Sequence, residues 1–141
     1  MHVVSATDAP RFRLPGVEFT GLAAPSRGSG EVCTWRITVA AGLRSPQSHT
    51  LDRDEVFMVT AGTIQLAVDA APLGPGDTAI VPAGTPIQLI NPGAEPAEAY
   101  VVVRVGFAGS MEDGTAIETP PMGAVTGLPT QPRPGRVDPG G

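Results

Sequence analysis

The sequence predicts an all-β fold of short strands, and three observations carry that reading. Gly and Pro supply 18 and 16 of the 141 residues and recur every few positions, which leaves no room for a long helix between Gly16 and Phe107. Between these breakers lie short β-branched or alternating apolar runs. Many short strands at close spacing build a sandwich or a barrel.

Residues 1–16 read as an N-terminal extension. The first strand is then expected over 17–22 and the second over 31–39. In the second, Cys33, Trp35, Ile37 and Val39 share one face, and Thr34, Arg36 and Thr38 share the other, so the strand is half buried. Further strands are expected over 55–60, 63–68, 78–81, 87–90 and 99–107. Ala61-Gly62 reads as a hairpin connection, with Gly62 supplying a backbone conformation that a side chain resists. Residues 72–77 read as the next turn. Residues 119–141, rich in Pro and Gly, cannot bury enough surface to offset their ordering entropy and are expected to form a flexible tail, with a strap over a neighbouring subunit as the alternative. The domain itself is expected over 17–118.

At 14.4 kDa the chain holds one domain with a real core. Nine basic against 14 acidic residues, with a pI near 4.8, give no basic stripe for phosphates, so nucleic acid is not an expected partner. No apolar run is long enough to span a bilayer, and residues 1–16 lack the apolar stretch of a secretory signal, so a cytoplasmic protein without a membrane partner is expected. The single Cys33 excludes an internal disulfide and reads as a buried core thiol.

Two motifs carry a family resemblance. From Gly76, five residues lead to Pro82, one to Gly84, two to Ile87 and three to Asn91, in GDTAIVPAGTPIQLIN. This resembles the second cupin motif at every fixed position except that Ile87 occupies a histidine slot. Upstream, Glu55 is followed by six residues and then Gly62, in EVFMVTAG, which is similar to the second half of the first cupin motif. Counting back three residues from Glu55 puts the two histidine slots of that motif at Leu51 and His49. Together the motifs span Gly42 to Asn91, in the right order. The resemblance implies a small single-domain cupin, a double-stranded β-helix or jelly-roll barrel, with a degenerate metal site.

A typical cupin site resembles a non-haem iron, manganese, nickel or zinc centre built from three His and one Glu. By carry-over this chain keeps His49 and Glu55 and places Leu51 and Ile87 in the other slots. No cofactor is therefore expected, with a divalent metal (Fe, Mn, Ni or Zn) on His49 and Glu55 as the alternative. The leading expectation is a partly apolar pocket for a small organic ligand. Gln47, Leu51, Phe57, Ile87, Gln88 and Leu89 line it, and His49 and Glu55 are available as an acid–base pair. If catalytic, the reaction is a metal-independent proton transfer (isomerisation, elimination or cyclisation) with Glu55 as base and His49 as acid or orienting group. Two plainer readings stand beside these: Glu55 as a structural charge paired with Arg36, Arg53 or Arg104, and His49 donating to a carbonyl. A metal-dependent oxygenase or isomerase and a non-catalytic homodimeric module complete the alternatives.

Overall fold

The computed structural model describes residues 1–117; the expected tail at 119–141 lies outside them. The strands are β1 (Arg11–Leu14), β2 (Val17–Gly21), β3 (Val32–Val39), β4 (His49–Leu51), β5 (Glu55–Ala61), β6 (Thr78–Val81), β7 (Ala97–Arg104) and β8 (Gly109–Met111). Six form one antiparallel sheet in the order β1-β2-β3-β7-β5-β6, and β4 pairs with β8. Backbone pairs outside the named strands widen the second layer, joining His49 to Ile87, Gln65 to Ile90 and Ile64 to Leu73. That layer therefore runs β8, β4, 87–90, 64–66 and 73, and faces the six-stranded sheet as a jelly roll does.

Alternation sets what lies between the layers. Cys33, Trp35, Ile37 and Val39 of β3 are buried, as are Ala97, Ala99, Val101 and Val103 of β7 and Glu55, Phe57 and Val59 of β5. Leu51, Ile64, Leu66 and Ile87 close the same core from the opposite layer. Each large aliphatic side chain buried there stabilises the fold by roughly 1.5–3 kcal/mol. Tyr100, next to two buried residues of β7, is half-buried on the outer face, beside Arg36 and Met58.

The structure departs from the sequence reading in four places. Residues 11–14, within the expected extension, form an edge strand against β2. Its exposed positions give it no alternation to read. Expected strands 63–68 and 87–90 are single bridges, because the chain curls where the Gln65 amide donates to the Ala67 and Val68 carbonyls. The last long strand begins at Ala97 and ends at Arg104, before Gly106 turns the chain at φ +89°. Finally, Ala61-Gly62 is not a hairpin but a corner: β5 lies in the first sheet, while Ile64 and Gln65 pair in the second.

Asn91 ties the layers together at this end. It is 1 % exposed; its Nδ2 donates to the Val39 carbonyl at 3.1 Å and the Glu95 carbonyl at 2.9 Å, and its Oδ1 accepts from the Gly93 N–H at 2.9 Å. Asn91→Ala removes all three bonds and strands buried carbonyls, so urea denaturation should show a loss of about 2–4 kcal/mol.

Candidate functional site

Glu55 opens β5, and the sheet register surrounds it with apolar neighbours. Across the strands, Cys33 of β3 lies beside Val103 of β7, Val103 beside Glu55, and Glu55 beside Val81 of β6. All four point inward. The next inward row is Trp35, Val101, Phe57 and Ala79, and Trp35 meets the Phe107 ring at a centroid distance of 5.9 Å. Glu55 is 4 % exposed, and its Oε1 is buried with no hydrogen-bond partner. Burial pushes its carboxyl from 4.5 up to about 7, because no neighbour compensates the charged form.

His49 opens β4, held by reciprocal 2.8 Å backbone bonds with Ile87. Among the described residues its ring has no hydrogen-bond or ion-pair partner, and burial lowers its pKa below 6.5. The imidazole is neutral at pH 7. Leu51 and Ile87 are 7 % and 2 % exposed and belong to the core, and Leu89 packs against it. Phe57 lies in the row next to Glu55. Gln47 has a buried amide oxygen without a partner.

Of the sequence-predicted site residues, His49, Glu55, Leu51, Phe57, Ile87 and Leu89 thus belong to the barrel interior. Gln88 alternates with Ile87 and Leu89, so it faces away from them, and its Nε2 donates to the Ser45 carbonyl at 2.7 Å. The two plainer readings are not what the structure shows. Arg36 pairs with Glu98 at 3.5 Å rather than with Glu55, and His49 donates to no carbonyl. Asp52 and Asp54 lie exposed in the turn between β4 and β5 and hold the barrel rim: their carboxylates accept from the Ala108 N–H at 2.7 Å and the Ala83 N–H at 2.9 Å. Sequence reasoning gave that turn no role, because short acidic turns are common. A groove of about 430 Å³ lined by Leu43, Arg44, Gln65, Val68 and Ile90, among others, contains none of the predicted site residues.

A divalent metal does not fit this donor set. His49 and Glu55 offer one nitrogen and one carboxylate, the other two slots are buried aliphatic side chains, and no three of His, Cys, Asp and Glu cluster among the described residues. Resident transition metals need three or four such donors.

Comparison with known proteins agrees with the fold. The cupin-domain family model matches residues 35–103. No curated protein matches the chain. Among solved structures, a polyketide cyclase from Streptomyces resistomycificus is similar at 20 % identity, covering 74 % of this chain and 79 % of its own, with a TM-score of 0.64. A sugar phosphate isomerase of the cupin superfamily from Silicibacter pomeroyi is 27 % identical, covering 70 % and 67 %, with a TM-score of 0.60. An RmlC-like cupin from Shewanella frigidimarina is 16 % identical, covering 74 % and 90 %, also with a TM-score of 0.60. With the two motifs on the strands and corners they require, and the family model lying across the same segment, the chain belongs to the cupin superfamily as a small single-domain member.

Proposed function

We propose that the barrel binds a small, partly apolar organic molecule and that Glu55 exchanges a proton with it, as isomerisation, elimination or cyclisation requires. The observation that carries this reading is the buried Glu55 carboxyl with no charged or hydrogen-bonded partner. Such a group costs folding free energy and contributes no structural contact in return, which is the pattern of a group kept for chemistry. With a pKa of about 7 it is present in both protonation states at neutral pH, the condition for efficient general acid–base catalysis. The neutral His49 ring fits an orienting role, with one nitrogen donating and the other accepting. The 27 % identical neighbour, a sugar phosphate isomerase, supports isomerisation as a reaction class.

The test is hydrogen–deuterium exchange, in D2O, at the carbon beside the carbonyl in a panel of cyclic and aromatic ketones, with binding measured by calorimetry. At least one ketone is expected to bind and exchange. Glu55→Gln should keep binding and slow exchange by about 100-fold or more, and exhaustive chelation should leave the rate unchanged. If no ketone binds, or if Glu55→Gln exchanges like the parent, the reading fails; a rate lost on chelation moves the protein to a metal-dependent mechanism.

A further inference from the structure

The β4–β8 pairing extends past its named residues. His49 lies opposite Met111 and Leu51 opposite Gly109, and the Glu112 N–H donates to the Ser48 carbonyl at 2.9 Å. The Ser48 N–H in turn donates to the Glu112 carboxylate at 3.1 Å. The register therefore sets Gln47 opposite Asp113, on the same face as His49 and Leu51. Strand rise puts Gln47 about 7 Å from His49 toward the barrel mouth.

Asp113 and Gln47 are in hydrogen-bond contact. The Asp113 carboxyl lies below its ordinary value because of hydrogen bonds from Thr115 first and, as the smallest contribution, from Gln47. A carboxylate only accepts, so the Gln47 amide nitrogen is the donor. That fixes the amide and leaves its oxygen as the free end, and this oxygen is buried without a partner. The other fully buried acceptor oxygen lacking a partner among the described residues is on Glu55. Both orphans belong to one barrel, and a buried acceptor without a donor costs about 1–3 kcal/mol.

From this geometry we infer that the Gln47 amide oxygen, aimed by Asp113, accepts a hydrogen bond from the ligand, so the barrel selects an uncharged apolar molecule carrying a hydroxyl or N–H donor. The inference rests on the reading of the barrel as a small-molecule site. The distribution of cations supports an uncharged ligand. The chain has no lysine, and every basic residue is an arginine. Arg11 and Arg13 lie on edge strand β1, Arg36 pairs with Glu98 on the outer face, Arg44 lines the separate groove, Arg53 is in the β4–β5 turn and Arg104 is exposed. Arg27 lies close enough to influence Cys33, but its Nε donates to the Leu22 carbonyl and it does not contribute at Glu55. No cation therefore stands beside Gln47, His49 or Glu55 to hold a phosphate, a point of difference from a site for a sugar phosphate.

Three probes sharing one ring system test the inference by calorimetry on the full chain: 2-naphthol, its methyl ether and 2-naphthyl phosphate. The parent protein is expected to bind 2-naphthol about tenfold more tightly than either of the others. Gln47→Met, nearly isosteric, should erase the preference over the ether while leaving ether binding unchanged. Asp113→Asn keeps an acceptor for the Thr115 N–H, and should weaken the preference by freeing the amide to turn. Glu55→Gln should leave the preference in place. Equal affinity for naphthol and ether, a preference that survives Gln47→Met, or phosphate binding as tight as naphthol overturns the inference while the pocket itself stands. If none of the three binds, the pocket reading falls and this inference falls with it.

Discussion

Glu55→Gln is expected to stabilise the protein by about 3 kcal/mol at pH 8 and to change its stability little near pH 4.5. A carboxyl moved from 4.5 to about 7 by burial corresponds to roughly 3 kcal/mol at about 1.4 kcal/mol per pH unit. Because the folded-state value is raised, the folded protein binds more protons than the unfolded chain between pH 4.5 and 7. The stability linked to Glu55 is therefore fully present below 4.5 and is lost as pH rises through 7. Glutamine never ionises, so the variant lacks this slope. His49 acts in the opposite sense: its lowered pKa gives stability that is present above 6.5 and lost as pH falls through the folded-state value. Urea denaturation of the parent across pH 4 to 9 should give a broad maximum on the acidic side of neutral. In Glu55→Gln the alkaline decline should flatten while the acidic one remains. A Glu55→Gln curve parallel to that of the parent would mean that the carboxyl finds a partner in solution, and the acid–base reading would lose its support.

This trade between stability and chemistry bears on how the site evolved from the usual cupin pattern. Where four polar ligands would hold a metal, this chain has Leu51 and Ile87 packed into the core. The two aliphatic side chains remove donors and also dry the surroundings of Glu55, and dryness is what raises its carboxyl. The replacement of ligands and the tuning of the remaining carboxylate are one structural change.

Much of this was legible in the sequence because it depends on period and spacing. Alternation in 31–39 located the inner face of β3 to within one residue, and the offsets of Gly76, Pro82, Gly84 and Asn91 located two corners and a buried amide. Glu55, Phe57 and Val59 follow from the same parity. What escaped depends on partners far along the chain. β4 and β8 have three residues each, too few to show a period, and they exist because they pair with each other. β1 is an exposed edge. Gln88 was drawn toward the pocket by its chemistry, whereas its place in the 87–90 segment turns it outward. Whether Glu55 had a counter-ion could not be decided until Arg36 was seen opposite Tyr100, on the outer face, and beside Glu98. The Gln47–Asp113 contact spans 66 residues, and a local pattern carries no trace of it.

Gly62→Ala tests the corner that places Glu55 and His49 in facing layers, and it should cost about 3 kcal/mol or more. Gly62 has φ +72°, a region where a side chain costs about 1–2 kcal/mol. A Cβ there would also lie 2.6 Å from the Pro96 carbonyl oxygen and 2.7 Å from the Ala97 Cα. Both are backbone atoms, and Ala97 starts β7, 1 % exposed at the end of the central strand. Neither can rotate away, so relief requires moving β7 or opening the corner, which adds the cost of disturbed packing. The register shift between Val59 and Ala61 against β7 shows that the strand pair already bends here, and a methyl group would push it further. By contrast, Gly42 has a similar φ of +75° but open space around a Cβ, so Gly42→Ala should pay only the conformational part. Urea midpoints of the two variants separate the terms: a markedly larger loss for Gly62→Ala confirms the steric block, and equal losses would mean that the corner yields. Because Glu55 and Gly62 bracket β5, a Gly62→Ala protein that folds should also show the Glu55 carboxyl titrating nearer its ordinary value, as the loosened barrel admits water.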